Sequence, residues 1–139
     1  MNKHQKMVEE FMKATGQYVP SRPTFDGYPA DLRVDLIYEE SEEFADAVYE
    51  DDECKLEWDK AIDALADLLY VTYGAASTMG IDIEPFFEEV HRANMEKVGG
   101  PVREDGKILK PPNWKEPDIK GILDAIIRRH ENQAKLELK

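Results

Sequence analysis

The chain has 139 residues, 42% of them apolar, with 30 acidic residues against 18 basic ones and a net charge of −12. That length and apolar fraction suit a single domain over residues 1–139 and argue against disorder. The charge repels phosphate backbones and so argues against nucleic acid as a partner, the apolar runs are too short for a membrane span, and the lone Cys54 leaves no intrachain disulfide framework. Residues 1–6 are followed by no apolar signal core, so the expected compartment is the cytoplasm.

Met7, Phe11 and Met12 recur at helical spacing, which predicts a first helix over residues 3–15, ended by Gly16. Pro20, Pro23, Gly27 and Pro29 predict a loop over 17–29. A second helix is predicted over 30–49, with a break at Asp51-Asp52, and a long third helix over 54–78, with Gly80 past its end. Asp82 predicts the N-cap of a fourth helix over 83–98, closed by Gly99-Gly100-Pro101. Asp105-Gly106, between Val102-Arg103 and Ile108-Leu109, predicts a turn or tiny hairpin within 101–115. A fifth helix is predicted over 117–130, with Pro117 near its first turn and a polar tail over 131–139 that frays. The expected fold class is all-α: a bundle of about five helices with a four-helix core and a small irregular segment at 101–115.

Asp63 and Asp67 interrupt the otherwise apolar stretch 61–72, which reads as core. Helical spacing puts Asp63, Asp67, Tyr70 and Gly74 on one stripe, flanked by Ile62, Ala66, Leu69 and Tyr73. On the second helix Leu36, Glu39, Glu40, Glu43 and Ala47 lie along or beside one face, while Glu42 points away. The short connection favours antiparallel neighbours, so the two acidic sets can face each other. A carboxylate buried without compensation is costly, and converging carboxylates raise one another's pKa. A hard divalent cation resolves that conflict, and all-oxygen ligation suits Mg²⁺ or Mn²⁺. Glu39–Glu43 alone reads better as a solvated charge run; its pairing with Asp63 and Asp67 favours the metal.

On the fourth helix Phe86, Phe87, Val90, His91, Asn94 and Lys97 share a face. Lys97 can hold a phosphate as a point charge or simply snorkel from an apolar stripe. Arg103, Lys107 and Lys110 are further phosphate candidates, and Tyr70, Tyr73 and Trp114 are candidates to stack on a base, although aromatics at helical spacing more often serve a core. A di-iron carboxylate bundle needs two Glu-x-x-His motifs, and Glu88…His91 is one without a second.

Glu40-Ser41-Glu42-Glu43, preceded by Glu39, and the later Asp67 resemble the paired acidic motifs of the all-α nucleoside triphosphate pyrophosphohydrolases, the MazG-like and phosphoribosyl-ATP pyrophosphohydrolase-like proteins. Residues 90–97 and 105–111 resemble a subgroup with dUTPase-like members, and the likeness extends over about residues 5–125. Ala64 departs from the pattern, since that superfamily usually has Glu there; Asp63 is one position earlier, which leaves the number of ions open. The resemblance implies hydrolysis between the α and β phosphates of an NTP or dNTP, dUTP among them, to a nucleoside monophosphate and pyrophosphate. It implies a metal set drawn from Glu39, Glu40, Glu43, Asp63 and Asp67, with Glu40, then Glu39, as the base that takes a proton from the attacking water. Asn94 and Lys97 would orient the nucleotide. The resemblance also implies a homodimer or homotetramer. The rival readings are phosphoribosyl-ATP as substrate and a non-enzymatic helical protein-interaction module. The latter predicts that replacing Asp63 or Asp67 by Ala is neutral or stabilising.

Overall fold

The computed structural model describes residues 1–139. It is all-helical, with α1 (Lys3–Ala14), α2 (Ala30–Val48), α3 (Trp58–Thr78), α4 (Glu84–Met95) and α5 (Ile119–Glu137), and one two-stranded antiparallel ribbon of β1 (Tyr49–Glu50) and β2 (Glu53–Cys54). No helix is long and apolar enough to cross a membrane. The chain divides into two compact units, Met1–Asp82 and Ile83–Lys139.

In the first unit α3 lies against both α1 and α2. The Asn2 side chain accepts from the Gln5 backbone N–H at 2.8 Å and caps α1. Gln5, fully buried, then donates its side-chain amide to Ser77 Oγ at 3.0 Å and to the Ile81 carbonyl at 2.8 Å, which ties α1 to the C-terminal end of α3. The buried residues of α3 are small: Ala61, Ala64, Gly74, Ala75 and Ala76, followed by Ser77 and Thr78. Small side chains let α2 and α1 approach the α3 backbone closely, so the tight side of this helix is its alanine side. The large apolar residues Ile62, Leu65 and Leu69 are exposed on the chain. The surroundings of the two aspartates are therefore not a uniform core, and Asp63 is itself exposed.

α3 begins at Trp58 rather than at residue 54, because the Asp51-Asp52 break is a tight turn. Both residues have positive φ, 49° and 65°, which is the backbone of a two-residue hairpin loop; Tyr49 then pairs with Cys54 and Glu50 with Glu53. Backbone bonds from Lys55 N–H to the Val48 carbonyl (2.7 Å) and from Glu57 N–H to the Ala47 carbonyl (2.8 Å) extend the ribbon and fold α3 back along α2.

In the second unit α4 lies against α5. α4 starts at Glu84, one residue later than expected, with Ile83 rather than Asp82 at the cap position and Pro85 in its first turn. Asp82 accepts an ion pair from the Met1 amino group at 3.0 Å within the first unit. α4 stops at Met95, earlier than residue 98, and single turns lead into the Gly-rich segment. Val102 and Ile108 form one antiparallel bridge around Asp105-Gly106, the tiny hairpin that the turn residues predict. α5 starts at Ile119 with Asp118 as its N-cap and continues to Glu137, so the polar tail is helical rather than frayed over most of its length.

Candidate active site

The antiparallel arrangement of α2 and α3 sets Glu40 and Glu43 opposite Asp67. One carboxylate oxygen from each of the three lies within 4.8 Å of the others. Glu40 and Asp67 are half-buried and Glu43 is exposed. Glu40 Oε2 is shut off from solvent and has no hydrogen-bond partner. The Glu40 carboxyl is pushed above the ordinary glutamate range, first by desolvation, then by the close approach of the Glu43 carboxyl and the negative charges of Glu43, Asp67 and Glu39. No Lys or Arg is ion-paired to any of the three carboxylates. An orphaned buried carboxylate oxygen within a ring of three acids is a donor set that fits a hard divalent cation.

Glu39 is exposed, lies outside this triad, and acts on Glu40 only through its charge. Asp63 is also outside it. With Glu43, Asp46, Glu57 and Lys60 it lines an adjoining open cavity of about 280 Å³, where Lys60 pairs with Glu57 at 2.8 Å. Ala64, at the position where the superfamily usually has Glu, is buried at 2% exposure and supplies no ligand. Tyr70 is engaged by packing: its ring meets Phe11 edge-on at 5.9 Å, and it lines an apolar groove between α1 and α3 with Met7, Leu69 and Tyr73.

In the second unit two of the phosphate candidates, Lys97 and Lys110, come together beside Asn94. Lys97 donates to Asn94 Oδ1 at 2.9 Å. The Lys97 and Lys110 ammonium groups sit 4.8 and 4.9 Å from the Trp114 ring centre. The Trp114 indole N–H is fixed by the Ala93 carbonyl at 2.7 Å, so the ring forms a rigid platform between two cations. Arg103 is not free for phosphate, because Asp105 holds its guanidinium through two bonds of 2.8 and 2.5 Å. Lys107 is exposed in the same turn.

Two features have no counterpart in the motif reading. One is the pairing of Lys97 and Lys110 on Trp114, which joins residues distant in sequence. The other is Arg33, buried at 7% exposure on α2. Its signal in the sequence is faint: a single cation among the apolar residues that begin the second helix.

An all-helical chain in which two antiparallel helices bring three carboxylates to one point agrees with the resemblance to the all-α pyrophosphohydrolases. The model of the phosphoribosyl-ATP pyrophosphohydrolase family matches residues 8–94, which include α2, α3, the whole acidic triad and most of α4. The chain belongs to that family and is a hydrolase acting on phosphorus-containing acid anhydrides. A comparison with curated proteins found no match.

Proposed function

We propose that the protein is a Mg²⁺-dependent nucleotide pyrophosphohydrolase that cleaves the α–β phosphoanhydride of an NTP or dNTP, releasing a nucleoside monophosphate and pyrophosphate. The observation that carries this is the convergence of Glu40, Glu43 and Asp67 around the unpartnered Glu40 Oε2. These three carboxylates would hold the ion, with Glu39 and Asp63 as flanking acids. Mg²⁺, or Mn²⁺ in its place, would supply charge neutralisation at the phosphate oxygens as pyrophosphate leaves.

Glu40 is the proposed base. Its half-buried carboxyl, beside Glu43 and Asp67, would take a proton from the water that attacks the α-phosphorus. Asn94 and Lys97 are proposed to orient the nucleotide, Lys97 through phosphate, with Lys107 and Lys110 as further phosphate candidates. The Arg103–Asp105 pair argues against a direct part for Arg103. The expected assembly is a homodimer or homotetramer.

Phosphoribosyl-ATP is a second reading, favoured by the family match, and its cleavage is the same α–β chemistry. A panel of the NTPs, the dNTPs including dUTP, and phosphoribosyl-ATP, each with Mg²⁺, decides between them. Turnover of one or more free nucleotides at a higher kcat/KM than phosphoribosyl-ATP supports the proposal. Preference for phosphoribosyl-ATP supports the second reading, and no turnover of any member removes both.

A further inference from the structure

Arg33 is nine-tenths buried and makes no ion pair. Its terminal NH2 donates to Gln17 Oε1 at 2.8 Å, and its Nε has no partner. A buried guanidinium is ordinarily matched by a carboxylate, because desolvating an unpaired charge costs several kcal/mol. Desolvation indeed lowers the proton affinity of this group.

The surroundings hold the side chain in position rather than neutralise it. Gln17 is fixed by its own amide bond to Thr15 Oγ1 at 3.0 Å and by its backbone N–H to the Met12 carbonyl at 2.8 Å. Gly74 leaves room on α3: a Cβ there would stand 2.8 Å from Arg33 NH1. Arg33 lines a cavity of about 190 Å³ together with Gln17, Tyr18, Asp26, Leu32 and Thr78.

This lining is mixed. Arg33 brings donors and Asp26 brings an acceptor, so a plain anion would be attracted by one and repelled by the other. A flat neutral edge with a carbonyl beside an N–H satisfies both, and the exposed Tyr18 ring offers a face to stack on. The position matches as well. Arg33 and Glu40 are seven residues apart on α2, about 10 Å of helix rise and nearly the same side, a span comparable with that from α-phosphate to base in one nucleotide.

We propose that this cavity is a base-recognition subsite for a nucleobase with a lactam edge, of the uracil, thymine or guanine type, whose carbonyl accepts from Arg33 and whose ring N–H donates to Asp26. The assignment rests on the nucleotide reading above. Its test does not depend on turnover.

The metal-free protein is titrated with uridine, guanosine, cytidine, adenosine and inorganic phosphate while the backbone amides of Gln17, Gly27 and Thr78 are followed by NMR. Uridine or guanosine should shift these amides with at least tenfold tighter binding than cytidine or adenosine, and phosphate should not shift them. Arg33→Met should abolish the shifts and lower kcat/KM for the lactam nucleotides about 10- to 100-fold, with the loss carried by KM. Asp26→Asn lies in an exposed loop and keeps the test open if the Met variant does not fold. It should reduce the preference for lactam bases at least fivefold.

Phosphate that displaces uridine or shifts the same amides would make this an anion site and overturn the proposal. Hydrolysis without any nucleoside binding at these amides would leave Arg33 as a structural brace and also overturn it. Nucleoside binding without hydrolysis would retain the subsite and remove the enzymatic reading instead.

Discussion

At the scale of single residues the molecule turns on charges that lack partners and charges that have them. Glu40, Glu43 and Asp67 repel one another in the metal-free chain, so Asp67→Asn or Glu40→Gln should leave its melting temperature equal or raise it, while abolishing the stabilisation that Mg²⁺ is expected to confer. Turnover should fall at least about 100-fold. Thermal melts with and without Mg²⁺, beside an activity assay, check both, and a variant that keeps its Mg²⁺ response would contradict the assigned ligand set. Glu89 is the opposite case. Bonds from the Arg92 side chain and the Asp118 backbone N–H hold its carboxyl down to about 2. A carboxylate depressed in the fold contributes stability that is complete above the ordinary glutamate range and is lost as pH falls toward 2. Glu89→Gln should therefore melt below the parent at pH 7, with the gap closing near pH 2; a gap independent of pH would contradict this. Helical spacing together with antiparallel packing is enough to set the acids of Glu39–Glu43 against Asp63 and Asp67, because i, i+3 and i+4 positions fix a face. It cannot tell which side of α3 is tight. That depends on the alanines facing α1 and α2, and it leaves Asp63 outside the triad and Arg33 buried.

At the scale of elements, local signals worked where a single residue type dictates the backbone. Gly80 ends α3 with φ of 70°, and an added Cβ would strike the Arg22 backbone carbonyl. Gly80→Ala should destabilise the fold by about 2 kcal/mol or more, through left-handed strain plus that clash, as chemical denaturation would show; a loss below about 0.5 kcal/mol would contradict it. Prolines and glycines likewise marked the loop before α2. The ribbon at 49–54 was not legible, because Asp51-Asp52 lacks the glycine that normally announces a left-handed turn, and the strands are two residues each. The α4 cap was placed one residue early: Ile83, with no polar side chain to announce it, holds the cap position and Pro85 follows in the first turn. The length of α5 was underestimated because residues 131–137 are mostly polar, with only Ala134 and Leu136 apolar, too few to announce a continuing apolar stripe.

At the scale of the whole molecule, large apolar side chains on α1 and α3 remain exposed, with Met7 at 55%, Phe11 at 49%, Ile62 at 60% and Leu69 at 60%. Such a face predicts self-association. Sedimentation at about 20 µM, roughly twenty times a Kd of about 1 µM, should give a dimer or tetramer, and Leu69→Glu should shift it toward monomer; a wild-type monomer would contradict the assembly proposed. The central claim concerns chemistry: water attacks the α-phosphorus at a site built by α2 and α3, and pyrophosphate leaves. Hydrolysis of the preferred nucleotide in ¹⁸O-labelled water, followed by mass spectrometry of both products, tests it most directly. The account predicts that the label enters the nucleoside monophosphate and that pyrophosphate is unlabelled. Label in pyrophosphate, or release of orthophosphate, would contradict it.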